Sequence, residues 1–535
     1  MRFSTLVATT LSLASSIAYG QVYSPDLTFG TAGKALITFP TTSPNDAVRG
    51  LELQGDGRIV VTGRTGDMFG VARLTAQGQP DASFGTAGQF SHSFSLPAGS
   101  PVASIRYVEP TSTILQTDGK LVVGGEMRTS GPVHPVTARY LASGTLDPSF
   151  GIDGRYVPYV SSGSLGIATA SINQQPDGNI ISVGTRYGLS SAYYPEISRL
   201  SSSGTPDNTY SHSYPAVGNQ TTPNSANSDK RVAVSAVDAS GRLITAGVHY
   251  ISTQNYVGPQ GAAILRYQSN GQYDPSFGTN GIAVLTRPNG GRGLEWKKMQ
   301  LQPDGKIVVA SLQSYYEGNR LISDSIGVAR YLANGTLDPG FGRGGLSKFA
   351  FGGTNGQSLV GFELTALGEF VVGARTAAGL SIVRLSSTGQ PVLNSMGSVL
   401  LPNINAEYMV VQADGKILVA GTHTDLVGTK SFGVVRLTSS VQLSNRSSRF
   451  DNAHLQLFPN PATRNITLRL AGAPEHAALQ LDIIDALGRE VLTMHSVRMV
   501  GNELQLPLNK IRPGSYLLRL QGNGFILTQK FTQVD

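Results

Sequence analysis

The sequence predicts an all-β fold, a seven-bladed β-propeller followed by a small C-terminal β-sandwich. Three observations lead there. A block of roughly sixty residues recurs seven times between residues 22 and 440. Each copy holds short stretches of high β propensity and no helical periodicity; in the first copy they are "GKALITFP", "AVRGLELQ", "GRIVVTGR" and "FGVARLTA". From residue 454 the period is gone, and six or seven further short strands follow with turn residues between them. A four-stranded unit of this size cannot bury both faces of its own sheet. Seven such units are most simply satisfied by radial closure. A solenoid is the competing geometry, and it needs shorter, single-turn repeats.

The repeat is defined by three signatures in fixed order. The first, Asp-x-x-Phe-Gly-x-x-Gly, stands at Asp26/Phe29/Gly30/Gly33, Asp81/Phe84/Gly85/Gly88, Asp147/Phe150/Gly151/Gly154, Asp274/Phe277/Gly278/Gly281 and Asp338/Phe341/Gly342/Gly345. Two copies have decayed: one keeps Asp207 and Tyr210, and "GQPVLNSMG" keeps little beyond turn composition. The second is a Gln-x-Asp-Gly hairpin, with glycines at 57, 119, 178, 241, 305, 368 and 415, spaced 62, 59, 63, 64, 63 and 47 residues apart. Asp-Gly is the pair favoured by type I′ hairpin turns, where both central residues need positive φ. The fourth and sixth copies, "VDASGRLITAG" and "LTALGEFVVGA", break the pair and are expected to turn differently. The third signature is Arg-Leu or Arg-Tyr, at Arg73, Arg139, Arg199, Arg266, Arg330, Arg384 and Arg436.

These recurring residues read as architecture. A calcium loop needs several oxygen side chains at alternate positions, whereas "QPDGK" offers one carboxylate beside a cation. The Asp is therefore a turn former and the Phe a wedge between blades. The Arg survives in all seven copies while the turn Asp does not. It is expected to donate to backbone carbonyls as well as to a carboxylate, using its fork of donors.

Composition bounds the function. The chain has 64 Gly, 28 Pro, 14% charged residues and no Cys, so a disulfide framework is excluded. Its net charge of +7 is spread without a Lys/Arg run, which speaks against a nucleic-acid groove or a polybasic membrane patch. Residues 1–20 read as a signal peptide with cleavage after Gly20, and no later stretch is long and apolar enough to span a membrane. Residues 21–440 are assigned to the propeller, 441–453 to a polar linker, and 454–535 to the sandwich.

Gly-x-Ser-x-Gly, a Walker loop, His-Glu-x-x-His and a Cys nucleophile do not occur in the sequence. No cofactor and no metal site is predicted. His134, His249 and His423 share a region of their repeats, so three imidazoles could converge on one face; exposed loop histidines are the plainer reading.

The unrepeated face carries the candidate site. With strands antiparallel in order, the Asp-Gly hairpins lie on one face and the 1-2 and 3-4 loops on the other. That second face varies in length and composition, and it gathers Tyr187, Tyr193, Tyr194, Tyr250, Tyr256, Tyr315 and Tyr316, with Trp296 in "RPNGGRGLEWKK". Tyrosine among Ser, Asn and Gly is the composition of adaptable recognition surfaces. The expected function is a non-catalytic binding scaffold at the cell surface or outside it, with an extracellular glycan or a protein as ligand. The alternative is an extracellular polysaccharide hydrolase or lyase. Glu196, Glu317 and Asp324 lie nearest the tyrosines, but their spacing supports no paired-carboxylate assignment.

Two resemblances extend this reading. "GTLDPSFGIDGRYV", "LQPDGKIVVA" and "GVARYLANGTLDPGFG" resemble the delta-60 repeat, a bacterial family that implies a propeller-like fold and no established activity. Residues 454–535 resemble the C-terminal sorting domain of the type IX secretion system, through Pro459, Asn460, Pro461, Asp485, Gly488, Arg489, Gly514, Tyr516 and the closing "LTQKF". That resemblance implies export to the periplasm, recognition of the folded tail by the secretion machinery, passage through the outer membrane, and release or surface attachment through the processed C-terminus.

Overall fold

The structure is a computed structural model. It describes residues 21–40, 46–96, 98, 104–158, 166–187, 193–210, 230–253, 256–286, 294–317, 320–351, 358–392, 395–441, 454–471, 479–485, 489–497, 499, 503–509, 511–522 and 525–534. The expected signal peptide and nearly all of the expected linker lie outside the described residues. The chain divides into two compact units, one spanning Gln21–Ser440 and the other containing Val441–Asp535.

Among the described residues the first unit consists of seven antiparallel sheets. Their first strands are Ala47–Leu53, Ile105–Leu115, Gly166–Gln174, Lys230–Val237, Leu294–Leu301, Ser358–Leu364 and Ile404–Val411. Each first strand lies against the next, and the seventh lies against the first, so together they form a closed circuit. The second strands are apolar on both faces, as in "IVVTGRT", because each sheet is covered on both sides by neighbours. Phe69, Val108, Val123 and Val136 fill the junction of the first two sheets, and comparable buried clusters fill the other six junctions.

Closure shifts the phase of the repeat by one strand. Lys34–Ile37, the "GKALITFP" segment, does not join Ala47–Leu53 in the first sheet. It pairs with Lys430–Val441 in the seventh, next to Gln21–Pro25, while the first sheet takes Gln89–His92 as its outer strand. A ring of sheets has no free edge to cap its last member, so the beginning of the repeat region supplies that strand. The Arg436 side chain completes the lock on Asp26 at 2.9 Å.

All seven Asp-Gly-type hairpins share one geometry, and it is not type I′. In the first, Gly57 N–H donates to Gln54 O and Gln54 N–H to Arg58 O, with positive φ at Gly57 alone. This is a type I turn followed by a left-handed residue, the three-residue hairpin that uses one glycine. Asp56 stays in the ordinary region and accepts from Arg58 N–H at 3.0 Å. The fourth and sixth copies keep the same bonds through Asp238 and Thr365 at the first turn position, so losing the Asp-Gly pair did not change the turn.

Every first strand carries a register shift at the equivalent place: Val48/Gly50, Pro110/Ser112, Thr169/Ser171, Val232/Val234, Trp296/Lys298, Leu359/Gly361 and Ala406/Tyr408. Such bulges raise the local twist and re-aim side chains. Here they set which residues look into the space enclosed by the circuit.

The second unit has a three-stranded sheet (His454–Phe458, Asn465–Ala471, Glu503–Pro507) and a four-stranded one (Glu490–Val497, Leu479–Asp485, Gly514–Gly522, Phe525–Gln533). The two bury one shared core that includes Ile466, Leu468, Leu481, Ile483, Leu506, Leu518, Leu520 and Phe531.

Candidate functional site

The repeat arginines form an inter-sheet clamp. Arg73 donates from Nε to Asp81 at 2.7 Å, from one terminal nitrogen to Ala142 O in the next sheet at 2.7 Å, and from the other to Ser83 Oγ at 3.0 Å. Its guanidinium covers the Phe84 ring at 4.7 Å. Arg139, Arg199, Arg266, Arg330 and Arg436 repeat the pairing with Asp147, Asp207, Asp274, Asp338 and Asp26. The wedge Phe fits because the next sheet's turn has a glycine there: a Cβ at Gly144 would sit 2.8 Å from Phe84. Burial alone would raise the Asp147 carboxyl, but hydrogen bonds from Ser149 and the charge of Arg139 hold it down at about 2. These groups are fully engaged with one another, which is a structural role.

The tyrosines stand on strands, not in loops. Tyr187 and Tyr193 face each other at the end of one hairpin, as do Tyr256 and Thr253 in the next sheet. Tyr250 pairs with Pro259, Arg186 with Tyr194, Tyr315 with Ser323, and Tyr316 with Leu321. The three hairpins belong to the third, fourth and fifth sheets and project their ends on one face, opposite the Asp-Gly turns. The seven side chains themselves lie outside what the structure describes.

Trp296 is a correction. The segment expected to be a loop is strand from Leu294, and the Trp296 side chain is fully buried between the fourth and fifth sheets, edge-on to Tyr331 at 6.5 Å. The bulge after it directs the indole into the inter-sheet core, where its large apolar area is removed from water. It is therefore no part of a ligand surface. Of the histidines, His134 and His423 are buried, and His423 meets Ser431 at 3.3 Å; His249 has no described side chain. Glu196 pairs with Arg186 at 2.6 Å, and the side chains of Glu317 and Asp324 are not described.

The first strands begin on the hairpin face, and there the structure opens a cavity of about 350 Å³ lined by Arg49, Ser358, Leu359, Arg375, Asn405, Ala406, Glu407 and Tyr408. Charges of both signs hold it in shape. Arg49 donates to Glu109 at 2.8 Å and stands 3.6 Å from Glu407, and Arg375 donates to Asn405. Burial pushes the Glu407 and Glu126 carboxyls upward.

Deeper in the circuit sits a second group. Glu52 and Glu363 occupy equivalent positions, each three residues past the bulge residue of its strand. Glu52 is raised to about 8 by burial and by the nearby charge of Glu363, against the pull of Lys298. Glu363 is raised to about 7 by burial, again against Lys298. Burial lowers the Lys298 ammonium, and both carboxylates oppose that. Lys298 Nζ lies over the Tyr408 ring, 5.2 Å from its centre, so the lysine joins the deep carboxyls to the wall of the mouth. Sequence inspection passed over this group. The available signal was a charge inside an otherwise apolar strand, as in "LEL", "FEL" and "WKKM", which is costly unless the strand borders water or a partner. Among the described residues no cluster of His, Cys, Asp or Glu has metal-holding geometry.

In the second unit the motif residues secure the last strand. Asn460 donates to Lys530 O at 3.1 Å and accepts from Thr532 N–H at 2.9 Å. Pro459 and Pro461 flank it in the turn between the first two strands, and Arg489 pairs with Asp485 at 2.7 Å. Gly514 opens the strand in which Tyr516 stacks on Phe531 and donates to Arg512 O at 2.6 Å. Gly488 is outside the described residues.

Comparison with known proteins separates the same two units. Residues 54–84, 116–150, 175–210, 302–341 and 412–440 match the family described as a domain of unknown function (DUF5122) beta-propeller. Residues 456–533 match the family described as a secretion system C-terminal sorting domain. No curated protein matches the chain. Similar solved structures include a protein of unknown function from Dyadobacter fermentans at 12% identity, covering 62% of this chain and 94% of that one, with a TM-score of 0.39. A catalytically inactive virginiamycin B lyase from Staphylococcus aureus with quinupristin is 13% identical over 76% and 99% of the two chains, TM-score 0.38. The polysaccharide lyase Uly1 is 9% identical over 80% and 98%, TM-score 0.45. Likeness at this level carries no functional argument.

Proposed function

We propose that this chain, which carries DUF5122 β-propeller repeats and a secretion-system C-terminal sorting domain, is a non-catalytic binding scaffold that holds an extracellular glycan or protein at the mouth of its channel. The sorting domain sends the protein to the outer surface or into the medium and implies contact with the secretion machinery. In this reading residues 21–440 are a seven-bladed propeller, 441–453 a linker, and 454–535 a β-sandwich that serves as the export tag.

One observation carries the ligand site. The cavity at the start of the first strands combines an aromatic wall, Tyr408, with fixed donors and acceptors from Arg49, Arg375, Asn405 and Glu407. A few convergent polar groups in a concave site of a few hundred Å³ are what small-ligand pockets share. The long hairpins with Tyr193, Tyr250 and Tyr315 end on the same face and extend the surface available to a polymer.

The test is a screen of purified protein against polysaccharides that scores retention and bond cleavage together. Retention without new reducing ends is expected, weakened by alanine at Tyr193, Tyr250 and Tyr315. Unchanged affinity in folded variants would sink the tyrosine surface. Cleavage lost in Glu52→Gln would favour the hydrolase or lyase reading, which the pairing of two channel carboxyls, Glu52 and Glu363, both raised by burial beside Lys298, supports.

A further inference from the structure

The mouth and the deep group meet at one residue. Tyr408 lines the cavity together with Arg375, and Lys298 Nζ lies over the Tyr408 ring. Two cations therefore flank a single aromatic wall. Arg375 donates to the neutral Asn405 and shares Glu407 with Arg49, which has Glu109 as well, so Arg375 is the less fully compensated of the two mouth arginines.

The groups facing Lys298 are Glu363 from the adjoining first strand, Glu52 from across the circuit, and Tyr408. Around Tyr408 stand Arg49, Glu407 and Glu109. With both deep carboxyls ionised the three-residue group carries one net negative charge; with both protonated it carries one positive charge. A charge that can reverse beneath a binding cavity is a means of selecting ligands by their own charge.

We propose that the channel mouth takes an acidic saccharide, whose carboxylate seats beside Tyr408 between Arg375 and Lys298. The inference rests on the glycan reading above and names the class of glycan. Glu52 and Glu363 then act as proton acceptors linked to binding. Both are held well above the usual carboxylate range, so at neutral pH they retain protons readily, and the ligand's negative charge draws further protons onto them. Affinity is thus highest well below pH 7 and falls as pH rises through about 7 and then about 8, where Glu363 and then Glu52 ionise. The chain's net charge of +7 works in the same direction over longer range.

The experiment is affinity electrophoresis of the full chain through gels containing polygalacturonate or, separately, dextran. It is run at pH 6 and pH 8.5, with melting temperature as the folding control. Polygalacturonate is expected to retard the protein at pH 6 and to bind about tenfold more weakly at pH 8.5, the effect of one lost charge contact. Glu52→Gln with Glu363→Gln should keep the tight binding at pH 8.5. Lys298→Met should lose about tenfold at pH 6, and Lys298→Arg should recover part of it. Polygalacturonate binding that ignores pH, or that survives Lys298→Met in a folded protein, overturns the proposal. Retention by dextran alone overturns the acid-group assignment and leaves the glycan reading standing, whereas retention by neither polymer overturns both.

Discussion

At six of the seven junctions one arginine ties together an aspartate of its own sheet, a phenylalanine or tyrosine ring, and, from the same fork, a backbone carbonyl of the next sheet where that contact is described. Arg330 and Asp338 are both largely buried, at 10% side-chain exposure each, and no second cation is described at Asp338, so removing the arginine strands the carboxylate. Arg330→Met should therefore cost about 3–5 kcal/mol in urea unfolding. The sixth copy provides an internal comparison: Arg384 has lost the aspartate, stands 3.6 Å from Glu369 and hydrogen-bonds the Tyr23 side chain, so Arg384→Met should cost less, about 1–2 kcal/mol. This clamp was legible because its three residue types recur at fixed spacing. Trp296 was not, since a lone aromatic beside Gly and Lys looks the same in sequence whether its strand turns it inward or outward. Glu52, Glu363 and Lys298 were missed for a related reason: only the bulge positions reveal that Glu52 and Glu363 share one level of the channel, with Lys298 two residues nearer the mouth.

The strands were readable as β structure, but their partners were less so. Local propensity marks "KALI" as a strand without saying that it closes a sheet built some 400 residues later, because that pairing follows from ring closure alone. The hairpin turns show the reverse case. Their glycine was identified correctly and their type was not, since one left-handed residue suffices when the turn is three residues long. In the second unit, Asn460 bridges the first turn and the last strand through both ends of its amide. Asn460→Ala removes those bonds, and each is worth about 1 kcal/mol. Hydrogen exchange of the Thr532 amide should accelerate accordingly; unchanged protection would mean the turn is held by other contacts.

For the whole molecule, the deep carboxyls link stability to pH. Their folded values, about 8 for Glu52 and about 7 for Glu363, lie above the ordinary 4.5. The stability they contribute is complete below that ordinary value and is lost as pH rises through 7 to 8. Wild type should melt lower at pH 9 than at pH 5 relative to the Glu52→Gln, Glu363→Gln protein, and parallel curves would contradict the burial of these groups. The aspartates of the clamp act in the opposite sense: Asp147, held at about 2, keeps its contribution above pH 4 and loses it in stronger acid. Export belongs to this scale too. Deleting residues 454–535 should leave the protein in the periplasm, while normal surface delivery would refute the sorting role.

The central claim is that ligand is held at the channel mouth and not on the repeated face. Polysaccharide retention of three full-length proteins tests it most directly: wild type, the mouth variant Arg375→Ala with Tyr408→Ala, and Leu367→Ala in an exposed turn of the opposite face. Retention should fall at least about tenfold in the mouth variant and stay unchanged in Leu367→Ala. Equal retention of all three, or loss confined to Leu367→Ala, would contradict it.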